Sequence, residues 1–138
     1  MPLNRVYVNE QVDQRLRTLK ARTGLTPNLL CRLGFCLSLE EPGVPDPQLY
    51  AHDQAREFNR YTLTGEWDTL FFALLRERLV ADELDPEEQL EEQFKAHLSR
   101  GVLLLYQRLR NLEDLATLVA DAQRRARLLS QRSGEYSG

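Results

Sequence analysis

A turn between two helical segments of opposite character constrains the fold of this chain more than any other feature. The turn, Thr23–Asn28, follows a basic segment with few apolar residues and precedes an almost wholly apolar one. Gly24 suits the left-handed residue that ends a helix, Thr26 suits an N-cap, and Pro27 suits the first helical position. The pattern predicts a helical hairpin whose second helix starts with free N–H groups beside a basic helix, which is a place to hold a phosphate.

The segments around this turn have distinct periodicities. Alternation over residues 5–9 predicts a short strand, and Asn9 can cap the helix that follows. In the first helix Val12, Leu16 and Leu19 form one apolar stripe. The second helix, from Pro27 to about residue 40, is apolar on nearly every side. We therefore expect it to be buried all round, either by its own fold or by an oligomeric partner.

The remainder of the chain predicts further helices. A second short strand is expected over 59–64, and a helix opening at 66–68 should face the core through Leu70, Phe71, Leu74, Leu75 and Leu79. Asp85-Pro86 is typical of a helix start, and Asn111 indicates a break before a last helix. The fold class is mainly α, with a ribbon-helix-helix-like N-terminal part (a short strand and two helices) followed by a compact helical bundle. We expect a single domain over 1–132 and a disordered tail over 133–138.

The net charge of −3 conceals a strong asymmetry along the chain. Residues 1–39 hold six basic and two acidic side chains, residues 40–99 five and fifteen, and residues 100–138 seven and four. A chain with no net attraction for nucleic acid can still bind it through one basic face. An exposed arginine is usually ordinary solvated surface, but Arg15, Arg17, Lys20 and Arg22 lie within one short helix beside the turn. This cluster is the strongest candidate for a phosphate-binding surface.

Motifs for catalysis are missing from the sequence. It contains no P-loop, dinucleotide-binding loop, nucleophile elbow or His/Cys cluster, so we expect neither an enzyme nor a bound cofactor or metal. His97 lies on an apolar helical face and is expected to be structural, and Cys31 and Cys36 are expected to be small buried residues. The longest apolar runs are too short to span a bilayer, and the first residues do not form a signal peptide. We expect a soluble, cytoplasmic protein.

The order of strand, basic helix, glycine-containing turn and apolar helix resembles the ribbon-helix-helix pattern, in which two chains pair their strands and interlock their helices. A longer match is similar to the DndE family of bacterial DNA sulfur modification and extends over about residues 4–118. It is carried by Asn4-Arg5, Leu16-Arg17-Thr18-Leu19-Lys20, Thr23-Gly24-Leu25-Thr26-Pro27-Asn28, Arg32-Leu33-Gly34-Phe35, Leu63-Thr64-Gly65-Glu66 and Phe94-Lys95-Ala96-His97-Leu98-Ser99-Arg100-Gly101-Val102.

The family resemblance implies a small helical protein that acts with a cysteine desulfurase, an iron–sulfur pyrophosphatase-like enzyme and an ATPase. Together these proteins replace a non-bridging phosphate oxygen with sulfur in duplex DNA. The resemblance also implies a homo-oligomer, with a tetramer favoured over a dimer, that prefers nicked duplex DNA and contacts it through the first helix. Arg17 and Lys20 match basic positions of the family, whereas Thr18 stands where family members can carry lysine. Arg22 is inferred from local charge alone.

Three hypotheses for function follow. The first is a non-enzymatic DNA-binding subunit of the phosphorothioation machinery. The second is a ribbon-helix-helix transcriptional regulator that reads bases with Arg5, Tyr7 and Asn9. The third is an assembly adaptor whose acidic middle docks the partner modification enzymes. For the first hypothesis the predicted DNA-contacting residues are Arg5, Arg15, Arg17, Lys20, Arg22, Thr26, Asn28 and Arg32.

Overall fold

Helices dominate the structure, a computed structural model that describes the backbone of residues 3–136 and the side chains of residues 3–131. The elements among these residues are β1 (Arg5–Val8), α1 (Glu10–Thr23), α2 (Pro27–Glu40), β2 (Arg56–Asn59), α3 (Arg60–Thr64), α4 (Asp68–Ala81), α5 (Leu90–Arg108) and α6 (Leu112–Tyr136), with single 3-10 turns at Pro47–Leu49 and Gly65–Trp67. The predicted mainly-α class, with a short strand followed by helices, is confirmed.

The predicted helix ends of the N-terminal hairpin are confirmed. The side chain of Asn9 accepts a hydrogen bond from the N–H of Val12 at 2.9 Å and so caps α1. Gly24 ends α1 in the left-handed conformation, with a φ of 77°. The hydroxyl of Thr26 accepts from the N–H of Leu29 at 3.3 Å, and proline opens α2. Local sequence signals therefore set this hairpin.

The N-terminal strand finds its partner within the same chain. β1 pairs antiparallel with β2, so that Arg5 lies opposite Asn59 and Val8 lies opposite Arg56. In the ribbon-helix-helix pattern the corresponding strand pairs with a second chain instead. Asn9, which a base-reading strand would have to present, is only 2% exposed and caps α1. The arrangement resembles that pattern in element order but not in strand pairing.

Helices α2 and α5 form the centre of the molecule, packed backbone against backbone. An added Cβ on Gly101 would overlap the carbonyl group of Gly34, and one on Gly34 would lie 2.8 Å from the carbonyl carbon of Gly101. Around this contact Phe35 and Phe94 pack with ring centroids 5.2 Å apart. The two glycines bring both helices close enough for their side chains to share one core.

The apolar helix α2 is not buried on every side within one chain. Its buried positions are Leu30, Cys31, Gly34, Phe35 and Ser38. On its other side Leu29 is 42% exposed and Cys36 is exposed, so the prediction that both cysteines are buried is wrong for Cys36. The chain covers α2 where it meets α5, α1, α3 and α4 but leaves Leu29 and Cys36 exposed, and the alternative of burial by an oligomeric partner stays open.

Two boundary predictions and part of one burial prediction are wrong. The strand expected over 59–64 is instead helix α3. The Asn59 side chain accepts from the N–H groups of Tyr61 and Thr62 and so caps the start of a helix there. Asp85 caps a turn, accepting from the N–H of Glu87 at 2.8 Å, and α5 begins only at Leu90. In α4, Phe71, Leu75 and Leu79 are buried as predicted, but Leu70 and Leu74 are exposed and Phe72 is buried instead.

The C-terminal end of the chain is helical as far as it is described. Asn111 precedes α6 as predicted, and its side chain accepts from the N–H of Asp114 at 3.1 Å. The backbone of 133–136 continues α6, while residues 137–138 of the expected disordered tail lie outside the described residues. Among the residues that the structure describes, no helix is both long and apolar enough to cross a membrane.

Candidate nucleic-acid interface

The four cations of α1 lie on two opposite flanks of the helix. Arg15 and Arg22 are seven residues apart and share one side, whereas Arg17 and Lys20 are three residues apart and share the other. The buried stripe of α1 separates the flanks on the inside, because Val12, Leu16 and Leu19 face the core. The predicted basic cluster is therefore two pairs of cations rather than one patch.

On the first flank, both guanidinium groups lie against one aromatic ring from α5. Arg15 lies 4.3 Å and Arg22 5.0 Å from the centre of the Tyr106 ring. A cation over a ring face is attracted by the quadrupole of the ring, and this attraction leaves its charge intact. Tyr106 therefore fixes two positive charges at one place without neutralising them.

A shallow groove of about 520 Å³ opens beside this ring. Arg22, Tyr106, Gln107 and Arg110 line it, so it joins the end of α1 to the end of α5. Neither Tyr106 nor Arg110 was among the residues expected from the sequence. The signal available was slight: an aromatic residue at the end of an apolar run, followed by arginines at 108 and 110. Only the fold places them beside α1.

On the second flank, one cation is paired and one is not. Arg17 forms an ion pair with Asp13 at 2.9 Å, and Asp13 also accepts from Arg56 of β2 at 3.2 Å. The Asp13 side chain is only 2% exposed, so it holds two arginines from the inside of the molecule. Lys20 is exposed and forms no ion pair within the described part of the chain. Lys20 is thus the freer charge on this flank.

Between the flanks runs an exposed ridge of small or uncharged side chains. Gln14 and Ala21 are exposed, and Thr18 between them is half-buried, with its hydroxyl donating to the carbonyl of Gln14 at 3.1 Å. This ridge carries no acid after Glu10 in the first turn. A polyanion lying along it would meet cations on both sides and no carboxylate in the middle.

Two of the predicted arginines lie elsewhere and have protein partners. Arg5 on β1 forms an ion pair with Glu57 at 3.1 Å, and its side chain remains 69% exposed. Arg32 on α2 donates through Nε to the carbonyl of Leu63 at 2.6 Å and through Nη2 to that of Thr62 at 3.3 Å. These two carbonyls belong to the last turn of α3, so Arg32 ties α3 to α2.

The start of α2 offers less to a phosphate than the sequence suggested. The hydroxyl and carbonyl of Thr26 accept from the N–H groups of Leu29 and Leu30, and Pro27 has no N–H. Asn28 is half-buried beside Arg56 and Glu57. Among the first residues of α2, the N–H of Asn28 is the one left without a protein acceptor in the described structure. Thr26 and Pro27 thus serve chiefly to set the backbone.

A buried network under α2 gives His97 the structural role expected of it. Arg100 donates through Nε to the hydroxyl of Ser38 at 2.9 Å, and that hydroxyl lies 2.8 Å from Nδ1 of His97. Because arginine can only donate, the hydroxyl of Ser38 accepts from Arg100 and donates its own proton to Nδ1 of His97. That nitrogen must therefore be unprotonated. Burial, with the charges of Arg100 and Arg78 nearby, lowers the pKa of His97 to about 4. The histidine is neutral at physiological pH.

Comparisons with known proteins agree with the resemblance seen in the sequence. The model of the family described as DNA sulphur modification protein DndE matches residues 5–112. A crystal structure of DndE from Escherichia coli B7A, described as involved in DNA phosphorothioation modification, is similar at 28% identity with a TM-score of 0.61. That match covers 76% of this chain and 98% of the other.

A second solved structure, a mutant DndE described as involved in DNA phosphorothioation, is similar at 25% identity with a TM-score of 0.58. Here 78% of this chain and 99% of the other are covered. No protein of the curated set matches the chain significantly. Both solved chains are thus matched over almost their whole length, whereas about a quarter of this chain lies outside each match.

Proposed function

This chain belongs to the DndE family of DNA sulphur modification proteins and so has its role in DNA phosphorothioation; we propose that it is the non-enzymatic subunit that binds the DNA. The proposed site is the exposed side of α1 with the end of α5 beside it. It binds the phosphate backbone of duplex DNA, with a preference for a nick. No covalent chemistry is assigned to any of its residues.

The observation that carries this proposal is the pair of cationic flanks beside an uncharged ridge. Arg15 and Arg22 keep their full charge because they rest on an aromatic ring rather than a carboxylate. Lys20 projects from the other side of the same helix. Phosphate contacts of this kind give affinity and orientation without reading sequence. Such a surface suits a protein that must hold duplex DNA while other subunits modify its backbone.

The eight residues predicted from the sequence have different roles in the proposed contact with DNA. Arg15, Lys20 and Arg22 contact phosphates directly, with Arg17 joining them when it leaves Asp13. Arg5, Thr26, Asn28 and Arg32 are proposed as peripheral contacts, because each is either at a distance along the chain or already hydrogen-bonded. Arg110 is added to the set because it lines the same groove as Arg22.

The assembly around this site is proposed from the family resemblance. The chain works with the ATPase and the iron–sulfur pyrophosphatase-like enzyme of the sulfur modification complex, in the bacterial cytoplasm. A homo-oligomer, with a tetramer favoured over a dimer, would present several α1 surfaces to one duplex. The half-exposed side of α2, which includes Leu29, supports an assembly of this kind because it is apolar and uncovered within one chain.

The test is salt-dependent binding to intact and nicked duplexes of the same sequence. Replacing Lys20 and Arg22 with glutamine removes one charge from each flank. If each contacts one phosphate, the slope of log affinity against log salt falls by about 2 and affinity at 0.1 M salt falls on the order of 10- to 100-fold. Fluorescence anisotropy over a salt series measures both quantities.

A matched control removes the same two charges elsewhere. Arg76→Gln with Lys95→Gln lowers the net charge equally, in α4 and α5, at two residues that do not line the groove beside Tyr106. This variant should keep the wild-type salt slope and most of the affinity. Equal losses of duplex affinity in the two double variants would mean that only net charge matters, and this would contradict the assignment of the site to α1. Equal affinity for intact and nicked duplex would remove the preference for a nick.

A further inference from the structure

The groove beside Tyr106 gathers positive charge from two distant parts of the chain. Arg22, in the last turn of α1, and Arg110, just beyond the end of α5, both line it, together with Gln107. Arg15 rests on the same aromatic ring as Arg22. Neither Arg22 nor Arg110 forms an ion pair with a described residue. The groove is therefore a point of concentrated positive charge.

No carboxylate lines this groove. The carboxylate of Asp114, four residues after Arg110, accepts from the backbone N–H of Arg110 at 2.8 Å and from that of Asn111 at 3.3 Å. It thus caps the start of α6 and is not one of the lining groups. Two guanidinium groups and the amide of Gln107 are left to face the groove as hydrogen-bond donors. An anion entering the groove would meet these donors without repulsion from an acid in its wall.

A phosphate at the end of a DNA strand suits such a point better than a phosphate within the strand. An internal phosphate carries one negative charge and has two oxygens free of ester bonds. A terminal phosphate carries a charge of about −1.5 to −2 near pH 7 and has three free acceptor oxygens. Arginine binds such oxygens through its forked pair of donors. The charge and the donors of the groove therefore match a terminal phosphate.

We propose that this groove binds the terminal phosphate of a DNA strand at a nick. The inference rests on the proposed function, because Arg22 belongs both to the α1 surface and to the groove. A duplex lying along α1 brings its backbone to the groove. An intact strand continues past it, whereas the end of a nicked strand is free to turn in. Arg22 and Arg110 then donate to the terminal oxygens from two elements of the fold, and Gln107 donates through its amide.

The test uses duplexes of one sequence whose outer ends are closed by loops, so that a nick supplies the only strand ends. The nick carries a 5′-phosphate, a 3′-phosphate or hydroxyls on both sides. The full-length protein should bind one of the phosphorylated nicks about tenfold more tightly than the hydroxyl nick, since a charged hydrogen bond contributes at least that much. The two phosphorylated nicks distinguish the two strand ends. Fluorescence anisotropy at one salt concentration measures all three affinities.

A matched pair of variants locates the contact. Arg110→Gln removes a charge from the groove, and Arg108→Gln removes the same charge from a residue that does not line it. Both side chains are exposed, so both variants should keep the fold, which circular dichroism checks. The preference for the phosphorylated nick should fall to about twofold or less in Arg110→Gln and stay about tenfold in Arg108→Gln. Because each preference is a ratio within one protein, a general loss of DNA affinity cancels.

Two results would overturn this assignment. Equal binding of the hydroxyl nick and both phosphorylated nicks would mean that the terminal phosphate is not recognised. Equal preferences in the Arg110→Gln and Arg108→Gln variants would mean that the groove does not hold it. The salt slope of the Lys20 and Arg22 variant on intact duplex involves no strand end. A protein that binds intact duplex through α1 but ignores the chemistry of the nick would therefore retain the proposed function and lose only this inference.

Discussion

At the scale of single residues, Tyr106 is the side chain that couples α1 to α5 on the proposed DNA surface. Replacing it with alanine removes the support of Arg15 and Arg22 while leaving every charge in place. The freed arginines would have to be immobilised on binding, at a cost of about 0.5–1 kcal/mol each, which corresponds to roughly a 5- to 30-fold loss of duplex affinity. Anisotropy titrations at fixed salt measure this loss.

The matched variant for this position is Tyr106→Phe, which keeps the ring face and removes only the hydroxyl. It should bind within about twofold of wild type, because the attraction of a cation to a ring needs no hydroxyl. A purely structural role for the ring would show as lowered unfolding stability with unchanged affinity. If the alanine and phenylalanine variants bind DNA equally well, stacking on Tyr106 does not hold the two arginines for binding.

His97 makes the stability of the fold dependent on pH. Its pKa is about 4 in the folded chain against 6.5 when unfolded, so the unfolded state binds more protons between these values. The stabilisation is present above pH 6.5 and is lost as pH falls toward 4. At about 1.4 kcal/mol per pH unit, unfolding free energy should drop by about 2 kcal/mol between pH 7.5 and 5 from this group. Urea denaturation at several pH values measures the drop.

The contribution of His97 is isolated by comparison with His97→Asn. The asparagine oxygen can accept from Ser38 as Nδ1 does, but it does not titrate. The variant should therefore lose much less stability than wild type between pH 7.5 and 5, while the carboxylates contribute equally to both. Parallel pH dependences in the two proteins would mean that His97 is not the titrating group.

At the scale of elements, the crossing of α2 and α5 depends on Gly101. On helix propensity alone, Gly101→Ala would stabilise α5 by about 1 kcal/mol. The added Cβ overlaps the backbone of Gly34, which belongs to another helix and cannot rotate away. We expect a net loss of about 3 kcal/mol in unfolding free energy, measured by urea denaturation.

Gly34→Ala is the graded comparison for this contact. Its Cβ would lie 2.8 Å from the nearest atom of α5, which is tight but looser than at Gly101. The loss at this position should be the smaller of the two. An alanine at 101 that leaves stability unchanged or raises it would show that the helices have room to separate, contrary to the packing described.

The sequence predicted the elements whose signals are local and failed where the determinants are distant. Asn9, Gly24 and Thr26 act on residues within four positions, so their roles were readable. The strand expected at 59–64 failed because Asn59, taken there as a strand residue, is the cap of α3. The all-round burial of α2 could not be decided, since it depends on which of its faces meets α5. Side-chain type alone carries no such information.

The candidate site, too, could be predicted from the sequence only where its determinants are local. The cations of α1 were predicted, and their division into two flanks follows from helical spacing once α1 is known to bury Val12 and Leu16. The contact of Arg15 and Arg22 with Tyr106 joins residues more than eighty positions apart, and no local pattern predicts it. Arg32 looked like another cation for DNA, yet it holds the end of α3.

At the scale of the whole molecule, the fold brings together the two basic ends of the chain. The N-terminal segment supplies Arg15 and Arg22, and the C-terminal segment supplies Arg110 beside the same groove. The acidic middle, residues 40–99, supplies none of the residues that line this groove. A chain of net charge −3 thereby presents a cationic surface. Acidic surface elsewhere would repel a duplex and restrict it to one orientation.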